Sequence, residues 1–215
     1  MINKKITIIN YGLGNILNLK RAFEYLGASV IITNEHKEIS KSSSIVLPGV
    51  GAFPNAMQSI DALQLKEILV STAKKEIPFL GICLGMQLLF TESNEFGLTK
   101  GLGLIPGKVI QIPNSSKKGN KIKVPHMGWN SLILSEGISN WKGSILQANH
   151  PQEEVYFTHS YMGVPSDENN RLADCIYGDH RISAVVKNKN IIGCQFHPEK
   201  SGKSGLEILK QFIRQ

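Results

Sequence analysis

The chain has 215 residues, 24 Lys plus Arg against 17 Asp plus Glu, and a formal net charge of +7. With 41% hydrophobic residues it can bury a sizeable core unaided, and Cys83, Cys175 and Cys194 are odd in number and widely spaced, which excludes a disulfide framework and a Cys/His zinc pattern. No basic, apolar leader opens it and its apolar runs stop well short of a membrane span, so the expectation is one soluble, cytoplasmic domain over residues 1–215, with reduced thiols, no metal and no membrane partner.

In chain order, the β-branched run Lys4 to Asn10 stops at Gly12 and Gly14 and predicts a first strand. A helix follows, capped by Asn15, with Ile16, Leu19, Phe23 and Leu26 at helical spacing and Gly27 closing it. Ser29 to Thr33 and Ser43 to Gly49 predict further strands, and Leu63 to Glu76 a second helix. Strands alternating with helices imply βαβ units, a parallel sheet with helices on both faces, and ligands beyond the carboxyl ends of the strands.

Phe79 to Phe90, "FLGICLGMQLLF", passes from a strand pattern to a helical one with Cys83 at the junction. "GICLG" is the thiol counterpart of the G-x-S-x-G nucleophile elbow. A side chain pushed out on so sharp a turn needs neighbours without a Cβ, and Gly81 and Gly85 provide them. The helix behind the sulfur would direct amide groups and the positive end of its dipole at it. A lone cysteine in an apolar run is otherwise a core residue, the reading that Cys175 and Cys194 keep.

Between Lys100 and Lys123 lie six lysines and no acidic residue. Their centre, "NSSKKGNKIK", reads as a mobile, solvated loop, and without interleaved aromatic residues to stack on bases it argues against nucleic acid. The second half is strand-rich: "KVIQI", "EVYFTHSY", "LADCIY", "ISAVVK" and "NIIGCQF" predict an antiparallel extension of the sheet, and a last helix, Lys203 to Arg214, packs back on it.

A catalytic thiol needs a base and something to orient that base. Of the histidines at 36, 126, 150, 159, 180 and 197, His197 ends a predicted strand, Pro198 stops the ladder, and Glu199 follows two residues on. In a parallel sheet that strand end and the end of "PFLGI" open on the same rim, so His197 and Glu199 can serve as base and orienter for Cys83.

With "PGVGAF", "GICLGMQ" and "QFHPE" in this order, the chain resembles class I glutamine amidotransferases, glutaminase domains with a Cys, His and Glu triad. "YGLGNILNLKRAFEYLG", "VPHMGWN", "YFTHSY" and "FHPEKS" are similar to the glutaminase subunits of imidazole glycerol phosphate synthases, in histidine biosynthesis. The resemblance implies a flavodoxin-like α/β fold with a mostly parallel central sheet, and hydrolysis of L-glutamine to glutamate and ammonia without a cofactor. In it Cys83 is the nucleophile, His197 the proton shuttle and Glu199 its orienter. The amides of Leu84 and Val50 form the oxyanion hole, with Gly49 and Gly51 letting the Val50 peptide turn. Gly51, Gln87, Glu95, His159, Ser160 and Tyr161 hold glutamine; for Glu95 a surface carboxylate is an equal reading of the residues. Ammonia passes to a (β/α)₈ barrel synthase subunit in a heterodimer, with Asn15, Trp129, Tyr156 and Lys200 near the interface; Trp129 and Tyr156 read equally as core aromatics. Paralogues serve barrel partners that amidinate nucleotide sugars for surface polysaccharide, and these motifs do not separate the two pathways.

Overall fold

A computed structural model of the chain describes residues 4–215. Its largest sheet has eight strands. β1 (Lys5–Ile9) lies between β2 (Ser29–Thr33) and β3 (Ile45–Leu47), and β4 (Phe79–Ile82) follows β3, all parallel. Between them run α1 (Ile16–Tyr25), α2 (His36–Ser40), α3 (Phe53–Ala62) and α4 (Leu65–Ala73). β1, β3 and β4 are buried on both faces, which is why they read as continuous apolar runs, whereas β2, at the sheet edge, is only partly covered. Their two-residue period sorts them: Ile6, Ile8, Val46, Leu80 and Ile82 join Leu19 and Phe23 of α1 in one cluster, whereas Ile9, Ile45, Leu47 and Phe79 join Phe53, Met57, Leu65 and Leu69 of α3 and α4 in the other.

After β4 come α5 (Leu84–Leu88), β5 (Phe90–Ser93), β6 (Thr99–Lys100), β7 (Ile105–Gln111), β8 (His126–Ser131), β9 (Ile133–Leu134), β10 (Glu154–His159), β11 (Tyr161–Pro165), β12 (Arg171–Tyr177), β13 (His180–Asn188), β14 (Ile191–Cys194) and α6 (Gly202–Ile213). β14 returns to the main sheet parallel to β4, and β13, β12 and β9 continue it antiparallel, the expected extension. The strands containing "KVIQI" and "EVYFTHSY" depart from it. β7 joins β11, β5 and β6 in a four-stranded sheet, and β10 pairs with β8 in a separate ribbon.

Four local expectations need correction. Asn15 occupies the N-cap position of α1, but its side chain makes no capping hydrogen bond. α2 and α3 were absent from the predicted elements, although Phe53, Met57 and Ile60 have helical spacing and Pro54 stands at the start of α3, a position that tolerates its missing N–H. The helix after Cys83 ends at Leu88 because Phe90 pairs with Ile105 of β7, a tertiary contact that overrides local pattern. The lysine-rich loop is exposed, yet it is tethered. Ser115 and Lys121 bridge it into a hairpin, the Lys117 amide donates to Asp179 at 2.9 Å, His180 Nε2 donates to the Ser115 carbonyl at 2.8 Å, and Ile122 packs against Gly178 where a Cβ would collide.

Candidate active site

The elbow follows β4 directly. Cys83 has φ 54° and ψ −112°, a conformation that costs a non-glycine residue about 1–3 kcal/mol and persists only where the surroundings impose it. The flanking glycines permit those surroundings. A Cβ on Gly81 would stand 2.6 Å from the Gly85 carbonyl oxygen, and one on Gly85 would run into the Leu47 carbonyl of β3. Gly49 is equally constrained, since its Cβ would lie 2.8 Å from the Gly85 nitrogen.

The Cys83 amide donates to the Cys194 carbonyl at 2.7 Å, tying the elbow to β14. Beyond Cys194 the chain leaves the ladder through Gln195 and Phe196 and presents His197 beside the sulfur, its amide donating to the Tyr156 carbonyl at 2.9 Å. His197 Nδ1 donates to Glu199 Oε1 at 2.9 Å, and both side chains are almost wholly buried. Its Nε2 has no partner of ordinary hydrogen-bond geometry. Burial alone would lower the imidazole pKa, but the adjacent Cys83 sulfur and Glu199 carboxylate outweigh it and raise the value to about 9. Cysteine, histidine and glutamate thus come from two adjacent strand ends.

These groups open on a cavity of about 320 Å³. Its wall contains Cys83, His197, Val50, Gly51, Leu84, Gln87, Glu95, His159, Ser160 and Tyr161, joined by Pro125 and Thr158. Leu84 is the first residue of α5, so its amide has no acceptor within the helix. Val50 lies beyond β3, and Gly51 beside it has φ 100°, left-handed backbone that suits glycine. Gln87, one turn after Cys83, donates through Nε2 to the Tyr161 carbonyl at 2.8 Å and to Gln195 Oε1 at 3.1 Å. Glu95 is buried, not a surface carboxylate; burial raises its pKa, partly offset by the 2.8 Å bond that Oε2 accepts from the Phe53 amide.

His159 Nδ1 donates to the Tyr161 carbonyl at 2.8 Å, leaving Nε2 to accept from His126 Nδ1 at 3.0 Å, while His126 Nε2 accepts from Asn130 Nδ2 at 3.2 Å. Burial pushes both imidazoles down, His126 to about 4 and His159 to about 3, so both are neutral, His159 in the cavity wall and His126 behind it.

The four residues expected at a partner face lie outside the cavity lining. Trp129 is 54% exposed, so it is no core residue, and its ring meets half-buried Tyr156 edge-on across the β8–β10 ribbon, centroids 6.1 Å apart. Lys200 is exposed on the single turn Pro198–Lys200, which packs against both β10 and α1, the helix that Asn15 precedes. Cys175 and Cys194 are fully buried, as expected, and burial followed by a neighbouring carboxylate, Asp174 or Glu199, raises both thiols.

Several neighbours of the sulfur escaped sequence reasoning. The Cys83 thiol donates to the Thr158 carbonyl at 3.8 Å, and Gln195 Nε2 donates to the sulfur at 3.9 Å. Tyr11, whose hydroxyl donates to the Pro48 carbonyl at 2.7 Å, is raised in pKa first by burial and then by the charge of Cys83. A backbone carbonyl leaves no sequence signal, but Gln195, polar within an apolar strand, was visible as one. Among the described residues no cluster of three or more His, Cys, Asp or Glu side chains is placed to hold a metal, and no helix is long and apolar enough to cross a membrane.

The sequence model of the class-I glutamine amidotransferases matches residues 7–215. An imidazole glycerol phosphate synthase subunit HisH 1 of Legionella pneumophila (strain Lens) is 45% identical over 209 residues, 97% of this chain and 98% of that protein. The HisH subunit of Lactococcus lactis is 44% identical over 213 residues, 99% of each chain. Among solved structures, PurLQS from Thermotoga maritima superposes with a TM-score of 0.73 at 19% identity, over 99% of this chain and 98% of that one, and a glutamine amidotransferase with 0.72 at 14%, over 97% of each; these two speak for the fold. The protein is therefore a glutamine-hydrolysing enzyme whose chain belongs to the class-I glutamine amidotransferase family, in the branch of the HisH subunits.

Proposed function

We propose that residues 1–215 act as one amidotransferase domain in which Cys83, His197 and Glu199 hydrolyse glutamine and supply the ammonia to a (β/α)₈ barrel synthase subunit. The observation that carries the reading is the strained Cys83 elbow opening on a cavity beside a histidine already hydrogen-bonded to a buried glutamate. With its pKa raised to about 9, His197 carries a proton at neutral pH, and in this reading the sulfur attacks the γ-carboxamide carbon as thiolate. The amides of Leu84 and Val50 receive the oxyanion. His197 protonates the departing nitrogen, the C–N bond breaks, and ammonia leaves a thioester. His197 then takes a proton from water, which attacks the same carbon; the C–S bond breaks and glutamate departs. Gly51, Gln87, Glu95, His159, Ser160 and Tyr161 hold the substrate, with the Glu95 carboxylate facing its ammonium group.

The names of the relatives support the imidazole glycerol phosphate synthase partner, and so histidine biosynthesis, over a nucleotide-sugar one. The heterodimer face comprises Asn15, Trp129, Tyr156 and Lys200. A diazoketone analogue of glutamine tests the site: mass spectrometry should find it on Cys83, and Cys83→Ala should abolish labelling with the fold intact. Labelling at another residue, or none, would refute the assignment. Purification from the native cell with a barrel protein other than the synthase would refute the partner.

A further inference from the structure

The Cys83 sulfur has two polar neighbours besides His197, the Thr158 carbonyl and Gln195. Gln195 is completely buried, two residues before His197, and its amide nitrogen lies 3.9 Å from the sulfur. Its orientation follows from chemistry alone. The Tyr161 carbonyl can only accept, so the Gln87 amide must turn its NH2 toward it, at 2.8 Å. The other Gln87 proton then meets Gln195 at 3.1 Å and requires an acceptor there, the Gln195 oxygen. That leaves the Gln195 NH2 aimed at the sulfur, with no freedom to flip.

We propose that Gln195 is a fixed hydrogen-bond donor to the Cys83 sulfur, oriented through Gln87 by the Tyr161 carbonyl, and that it supports the negative sulfur during attack; this rests on the glutaminase reading above. Of the two contacts at the sulfur outside the triad, the Thr158 carbonyl at 3.8 Å can bond a thiol but only repels a thiolate, whereas the Gln195 amide bonds either. Once the proton has moved to His197, Gln195 is the one of the two that still contributes. A donor to the charged form favours that form.

The test is the pH profile of Cys83 alkylation by iodoacetamide, read by mass spectrometry on the intact protein. Gln195→Leu, which cannot donate, is expected to move the midpoint upward by about one pH unit, in keeping with a lost bond to a charged group. Gln195→Glu, which turns a carboxylate toward the sulfur, is expected to move it further. Unchanged midpoints in folded variants would overturn the proposal. The other titratable groups that sense the sulfur's charge, His197 and Tyr11, are unaltered in both variants. If neither variant folds, the unaltered protein decides: with 15N-labelled glutamine, the Gln195 side-chain amide resonances should shift on alkylation of Cys83, and their failure to move would overturn the proposal. Iodoacetamide needs no glutamine pocket, so this result and labelling by the glutamine analogue can fail independently.

Discussion

Cys194 ends β14 and Cys83 follows the end of the adjacent parallel strand β4, and the two share a hydrogen bond, the Cys83 amide donating to the Cys194 carbonyl at 2.7 Å. Cys194 stays in the ladder, has no exposed surface, and its thiol pKa is raised by burial and then by Glu199. Cys83 is turned out by a left-handed backbone into a cavity that also receives His197. The same residue type, at the ends of neighbouring segments, is sealed in the core in one place and opens on a cavity beside a histidine in the other. Backbone conformation makes the difference, and three glycines permit that conformation.

The sharpest way to break the comparison is substitution at each cysteine. Cys83→Ala should reduce glutamine hydrolysis by about a thousandfold or more, as loss of a nucleophile does, in an ammonia-release assay. Cys194→Ala should retain that activity and cost about 1 kcal/mol of stability, the order of one deleted buried heavy atom, by denaturant titration. Equal losses of activity would remove the distinction.

Next in size is the elbow itself. Gly85→Ala drives a Cβ into the Leu47 backbone, so we expect a loss of about 3 kcal/mol or more from overpacking against an element that cannot yield, together with loss of Cys83 alkylation in whatever fraction folds. A stable, reactive Gly85→Ala protein would show that the turn does not need the close approach.

The smallest effect concerns acid. His126 and His159 are held neutral with pKa values lowered from about 6.5 to about 4 and about 3. Their contribution to stability is complete above pH 6.5 and is lost as pH falls through their folded values, because the unfolded chain takes up those protons first. The urea midpoint should therefore fall between pH 6.5 and 4, and His126→Phe should flatten that slope. An unchanged slope in the variant would show that this pair does not set the acid limb.

Much of this was legible in order of residues. The short apolar runs alternating with helical patterns announced a parallel sheet covered by helices, and "GICLG" announced its elbow, since both signals lie within short stretches of sequence. The α3 helix has its own local signal, Phe53, Met57 and Ile60 at helical spacing. The helix after Cys83 was legible but its early end at Leu88 was not, because the pairing of Phe90 with Ile105 that ends it is a contact between separate segments.

The sequence by itself determined that Cys83 would be thrust out beside glycines and that His197 and Glu199 would travel together, because spacing and backbone sterics act locally. Only the tertiary structure decided which donors and acceptors surround the sulfur. The Thr158 carbonyl, the Gln87–Gln195 amide chain and the neutral His126–His159 pair are assembled from strands distant in sequence. Hydrogen-bond direction depends on which polar atoms meet across those strands, and no residue carries that information before the sheet has formed.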